Sequence, residues 1–189
     1  NENDALPLSA GSKVSLFSIS SVNPVYGGTG SGNVDASKAV NLKDSLTNAG
    51  ISVNETLWDF YTSEEISAAY GRGGAAGGQV QDSAGYDLMA PGSSINEVPW
   101  SVYTDEVKAS VGEYGDAAIV VLSRIGGEGA DSYFDHTLGN GKNYLALNAI
   151  EREMMENIKK LKDEGKIDKI IVLINTSNAL QVDFLKNNE

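Results

Sequence analysis

The chain has 189 residues, enough for one domain with a sizeable buried core. With 14 Lys and Arg against 26 Asp and Glu, its formal charge is −12. Such a surface repels phosphate backbones and anionic lipids, so nucleic acid and membrane surfaces are poor partners and neutral substrates suit it better. It has no cysteine and one histidine, so disulfides, thiolate metal sites and a His-based zinc site are not expected. No apolar run approaches the ~20 residues a membrane helix needs.

In chain order, the opening carries neither an initiating Met nor the basic-then-apolar start of a leader, and Asn1 to Leu8 read as a cut made inside a longer protein. Lys13 to Ser20 (KVSLFSIS) alternates and is rich in β-formers, which predicts a strand. A helix is expected over 35–49, where Ala39, Leu42, Leu46 and Ala49 share a face and Gly50 stands where a helix stops. A short strand over 51–54 follows, then a helical stretch from Trp58 to Tyr70 in which Ser63 is an N-cap candidate ahead of Glu64 and Glu65. Gly71 to Pro99, containing GRGGAAGGQ, has no sustained apolar period and reads as an extended loop or insertion.

Helical spacing resumes over 101–113 with Val102, Val107 and Val111 on one face. Ala117 to Ser123 (AAIVVLS) is a continuous apolar run of the kind found in a parallel sheet covered on both faces. A polar, glycine-rich segment from Arg124 to Asn143 leads to an amphipathic helix over 148–164, with Ile150, Met154, Ile158 and Leu161 inward and its Glu and Lys residues on a solvated face. Lys169 to Asn175 (KIIVLIN) is a second buried strand, and a last helix is expected over 179–186. This alternation predicts an α/β protein, a three-layer sandwich around a mostly parallel sheet, incomplete at its C-terminus. An incomplete sheet would leave an exposed edge that invites association.

Ligands of open parallel sheets gather at the carboxyl ends of the strands. Two loops there stand out. Val25 to Asn33 (VYGGTGSGN) carries four glycines whose N–H groups suit an anion cradle, Gly27 to Gly32 above all, yet it lacks both the dinucleotide fingerprint and the Lys-Ser/Thr ending of a phosphate loop. A tight turn is the plainer reading. The second loop, SRIGGEGADSYFDH from Ser123 to His136, sets Arg124, Glu128 and Asp131 beyond the apolar strand. A Glu between Gly127 and Gly129 gains reach and loses packing neighbours, which suits a carboxyl offered to a substrate. Partial burial beside another carboxylate would raise its pKa toward the range of a general acid. A solvated loop Glu is the plainer alternative, and Arg124 is equally suited to pairing with Asp131 or Glu128.

The string SRIGGEGAD after a hydrophobic strand resembles the acid/base loop of glycoside hydrolase family 3. NENDALPL resembles that family's interdomain linker, KVSLF its first strand in the second domain, and YGGTGSGNVD the glycine loop that follows. YLALNAIEREMMENI and KIIVLINTSNALQVDFL are similar to its next helix and strand. The resemblance spans nearly the whole chain apart from Gly71–Pro99. It implies that 1–12 is the linker and 13–189 a truncated α/β-sandwich second domain of a retaining β-glycosidase of β-glucosidase type. Glu128 would be the general acid/base, Arg124 would orient its loop, and Asp131 would hold or contact it near the sugar. The partners implied are a β-linked oligosaccharide or glycoside and an N-terminal barrel domain that carries the Asp nucleophile, with no cofactor. The sequence departs from many relatives in having Ser132, rather than Arg, after Asp131. The competing expectation is a non-catalytic carbohydrate- or nucleotide-binding module that uses the Gly27–Gly32 loop.

Overall fold

A computed structural model describes residues 5–28, 30–32, 34–71, 97–125, 145–177 and 179–188. Strand β1 is Lys13–Phe17 and gives way to a short helix α1, Ile19–Val22. The strand stops earlier than its composition suggests because Ser18 adopts φ 82° and turns the chain, its hydroxyl accepting the Ser20 N–H at 3.1 Å. Helix α2 is Leu42–Asn48, half the length expected. Upstream of it the backbone is engaged locally, with the Ser37 N–H donating to the Asp35 carboxylate at 2.9 Å, and Asn41 caps the helix by accepting from the Asp44 N–H at 2.8 Å.

Strand β2, Ser52–Val53, is followed by helices α3, Glu55–Thr62, and α4, Glu64–Tyr70, where one helix was expected. Ser63 separates them. Its extended backbone ends α3, and its side chain accepts from Ile66 N–H to start α4. The helical pattern over 101–113 resolves into a 3₁₀ turn at Trp100–Val102, helix α5 at Asp105–Ser110 capped by Thr104, and a 3₁₀ turn at Val111–Tyr114. Strand β3 is Ala117–Arg124, helix α6 is Ala149–Asp163 and strand β4 is Ile170–Thr176. The last expected helix is instead a 3₁₀ segment, Asp183–Asn188.

All strand pairings are parallel, in the order β2-β1-β3-β4. Each of the two central strands, β1 and β3, sends alternate residues to opposite faces. Phe17, Ala118, Val120 and Leu122 pack with Leu57 and Tyr61 of α3, Val107 of α5, and Met154, Ile158 and Leu161 of α6. Val14, Leu16, Ala117, Ile119 and Ile171 form a second cluster with Leu42 and Leu46 of α2. Helices therefore cover both faces and the expected α/β layering is present. Each fully buried Leu, Ile, Val or Phe contributes about 1.5–3 kcal/mol, so β3, buried along its whole length, is the spine of the core. No helix among the described residues is long and apolar enough to cross a membrane.

Candidate active site

The carboxyl ends of β1, β3 and β4 lie side by side, because β1 and β3 pair from Val14↔Ala117 to Phe17↔Val120 and β3 continues along β4 to Arg124↔Thr176. Loops leaving these three ends start from one edge of the sheet, and specific polar contacts fix where each begins.

Arg124 is the last residue of β3 and its side chain is 0% exposed. Its guanidinium makes a two-pronged pair with Glu151 in the first turn of α6, Nη1 to Oε1 and Nη2 to Oε2, both at 2.8 Å. Nη1 also donates to the Ser123 carbonyl at 2.8 Å and Nη2 to the Ala146 carbonyl at 2.7 Å. The planar fork of arginine matches a carboxylate in this way and leaves further N–H groups for carbonyls. Glu151 has a second task. Its Oε2 accepts the Asn148 N–H while Asn148 Oδ1 accepts the Glu151 N–H, both at 2.8 Å, a reciprocal capping box that starts α6. The Leu145 carbonyl meanwhile accepts from Gln181 N–H at 2.6 Å. Residues 125 and 145–146, the two ends of the segment that contains Glu128 and Asp131, are thus held by β3, α6 and the chain beyond β4.

Both Glu128 and Asp131 lie outside the described residues. Of the three site residues read from the sequence, Arg124 alone is described. Its partner is Glu151, a residue the amphipathic pattern assigns to the solvated face of α6 and which is 3% exposed. The helix begins at Ala149, so its first turn faces the sheet edge rather than solvent.

The glycine-rich loop is anchored to the same edge by Asn175 of β4. Its Oδ1 accepts from Val25 N–H at 2.6 Å and from the Ser123 hydroxyl at 2.7 Å, and its Nδ2 donates to the Val25 carbonyl at 2.9 Å. One side-chain amide therefore satisfies both main-chain groups of Val25 and ties them to the strand that ends in Arg124. Beyond Val25 the loop doubles back so closely that a Cβ on Gly27 would lie 2.6 Å from Val34 Cγ2 and 2.7 Å from the Gly32 carbonyl oxygen. Only glycine fits there without displacement. Nothing in the sequence marks Asn175 beyond its place at the end of a strand.

A second buried cluster lies under the β1 end. Glu97, 1% exposed, accepts at Oε1 from Val98 N–H at 2.8 Å and from Ile19 N–H at 3.3 Å. Tyr61 accepts from Ser18 N–H at 2.8 Å and shares a hydrogen bond with the Tyr103 hydroxyl. Burial, foremost, raises both tyrosines well above their ordinary range, so they are neutral. Glu97 lies near the end of the Gly71–Pro99 stretch read from the sequence as an extended loop or insertion, of which residues 72–96 lie outside the described residues, and no pattern there signals a buried acid. Among the described residues no group of His, Cys, Asp or Glu is placed to hold a metal ion.

The chain matches no family model. It is 29% identical over 133 residues to β-glucosidase A of Butyrivibrio fibrisolvens, a match that spans 69% of this chain and 14% of that protein. Among solved structures it resembles a β-glucosidase from Paenibacillus barengoltzii, with TM-score 0.69 and 27% identity over 99% of this chain and 18% of that one. It also shares its fold with β-glucosidase 3B from Thermotoga neapolitana in complex with glucose, with TM-score 0.71 and 23% identity over 100% of this chain and 23% of that one. The chain thus spans less than a quarter of the length of each of these relatives, all of them β-glucosidases, in agreement with the family resemblance read in the sequence.

Proposed function

We propose that this relative of the family 3 β-glucosidases is the α/β domain of a retaining β-glycosidase, and that it supplies the general acid/base, Glu128, to an active site completed by a barrel domain. The observation that carries the reading is the double anchorage of the segment around Glu128. Arg124 stands four positions before it at the carboxyl end of the central strand, and the same guanidinium holds the returning chain at Ala146. A carboxyl on a glycine-flanked segment needs such fixed ends if it is to meet a glycosidic oxygen reproducibly.

Retaining hydrolysis uses two carboxyl groups about 5 Å apart on opposite sides of the scissile bond. In the first step the Glu128 carboxyl donates its proton to the glycosidic oxygen as the C–O bond breaks and the nucleophile Asp of the barrel domain bonds to the anomeric carbon. In the second, the Glu128 carboxylate takes a proton from water as its oxygen displaces that Asp, and the sugar leaves with its configuration retained. Arg124 acts as a positioning residue through Glu151 and Ala146, and Asp131 contacts the loop or the sugar. The exposed Tyr26 and Val34, which flank the glycine loop, suit a contact with the barrel domain. With one carboxyl of the required pair, residues 1–189 by themselves bind sugar weakly and hydrolyse nothing.

The test is Glu128→Ala in the full-length protein, assayed on cellobiose and on a dinitrophenyl β-glucoside, with and without azide. Loss of a general acid costs on the order of 10²–10⁴-fold and matters most for the poor leaving group. The expected pattern is a large loss on cellobiose, a much smaller first-step loss on the activated glucoside, and rescue by azide with a β-glycosyl azide as product. Wild-type rates on both substrates would remove Glu128 from the chemistry.

A further inference from the structure

Two carboxyl groups are buried among the described residues, and they differ in one respect. Glu151 faces the Arg124 guanidinium. No described cation lies within ion-pair distance of Glu97. What surrounds Glu97 is a set of hydrogen-bond donors and further acids. Val98 and Ile19 donate their N–H groups, and the Ser18 hydroxyl lies within hydrogen-bonding reach. From α3 comes the Tyr61 hydroxyl, from the turn before α5 that of Tyr103, and from α6 the charge of Glu151, paired with Arg124 of β3; Glu153 of α6, whose carboxylate accepts from Trp100 N–H, acts on Tyr103.

This cluster holds a strained piece of backbone. Ser18 has φ 82° and ψ 141°, a region almost restricted to glycine, and such conformations persist only where their surroundings over-determine them. Here Tyr61 holds the Ser18 N–H and Glu97 holds the Ile19 N–H, on either side of the strained residue. The turn leads through α1 to Val25 and the glycine-rich loop, so the grip at Ser18 sets the path of that loop from behind while Asn175 sets it from the front.

We propose that Glu97 is a proton-controlled positioning residue: as a neutral acid it stays in the core and pins the Ser18 turn beneath the glycine-rich loop, and on ionisation it leaves the core and loosens both. Burial, the largest influence, pushes its carboxyl up to about 7; its hydrogen-bond donors oppose the rise and Glu151 adds to it. The folded-state value lies above the ordinary 4.5, so the pinned form binds more protons than the released form in between. Pinning is complete below about pH 4.5, weakens as pH rises to about 7, and changes no further once the carboxyl is ionised in both forms. The proposal stands on the cluster itself and needs no role for Glu128.

The experiment is hydrogen exchange with mass spectrometry on the full-length protein from about pH 5 to about pH 8.5, corrected for intrinsic exchange. Peptides covering 14–23 and 97–103 report the cluster and peptides covering α6 serve as the internal reference. In the wild type, protection of the first two segments should fall roughly 30- to 100-fold between about pH 5 and about pH 7.5 and then level off. The α6 peptides should stay constant. In Glu97→Gln, a neutral side chain of the same shape, protection should be independent of pH. Tyr61→Phe should lower protection at every pH while keeping the wild-type slope. Flat protection in the wild type, an equal slope in Glu97→Gln, or an equal loss in α6 would each overturn the proposal, the first without any variant having to fold.

Discussion

Removing the Glu151 carboxylate should be the most damaging single change among the polar residues of the fold. The substitution Glu151→Ala leaves a guanidinium whose side chain is 0% exposed without its carboxylate, and it deletes one arm of the α6 capping box. Breaking a buried pair from one side costs about 3–5 kcal/mol, because the surviving charge stays desolvated. Loss of half of a capping box adds roughly 0.5–1 kcal/mol. The sum is about 3.5–6 kcal/mol, against a total of about 5–15 kcal/mol for a typical domain. Urea unfolding of this chain followed by circular dichroism measures it, and an unchanged slope would show that the denatured state is unaltered. The decisive companion is the double variant Arg124→Met with Glu151→Leu, which removes both charges together. It should lie within about 2 kcal/mol of wild type, because an apolar pair of similar volume needs no desolvation of charge. A cost below about 1.5 kcal/mol for Glu151→Ala, or a double variant no better than its worse parent, would refute the reasoning. On the function proposed above, the double variant of the full-length protein should fold and still lose glycosidase activity, since the hydrogen bond from the Arg124 guanidinium to the Ala146 carbonyl is then gone.

Two further outcomes follow from the edge contacts. Asn175→Ala removes three hydrogen bonds, two of them to Val25, and should lower stability by about 2 kcal/mol in the same unfolding assay; Asn175→Asp keeps the two accepting contacts and should recover part of that loss. At Ser18, the changes to Gly and to Ala both remove the hydroxyl, with its cap on Ser20 and its contact with Glu97, but only the change to Gly also relieves the backbone. The glycine variant should therefore be more stable than the alanine variant by about 1–3 kcal/mol, and equal melting temperatures would show that the turn carries no strain.

The parallel sheet is legible in the sequence for a plain reason. AAIVVLS and KIIVLIN are continuous apolar runs, and burial on both faces is what such runs require. Boundaries set by single polar residues are less legible. Ser63 reads as a cap inside one helix, yet its backbone also ends the helix before it. Ser18 sits inside an alternating pattern that conceals the turn. Arg124 is visible as a site residue, but its partner depends on where α6 starts relative to β3, and Glu151 looks like one more charge in a Glu/Lys helix. An Asn three positions before a Glu does signal a capping box. The helix start is read correctly at residue 148, and that signal, added to it, turns Glu151 back toward the N-cap and the sheet. Asn175 and Glu97 carry no local signal, because each is defined by a main-chain group far along the chain: Val25 lies 150 positions from Asn175, and Ile19 lies 78 from Glu97.

That separation also shapes how the fold forms. Strands β3 and β4 are joined through α6, whereas β1 meets β3 only after the chain has returned from afar, the Lys13 N–H reaching the Asp116 carboxylate across 103 positions. The local unit of β3, α6 and β4 is thus the natural template, and β1 is captured by it at the expense of closing a long loop. Closure entropy grows only with the logarithm of loop length, so residues 72–96 add about 0.3 kcal/mol to it. Lengthening or shortening the chain between α4 and Glu97 therefore changes this closure term little, provided that the buried acid still arrives beside Ser18 when the chain returns.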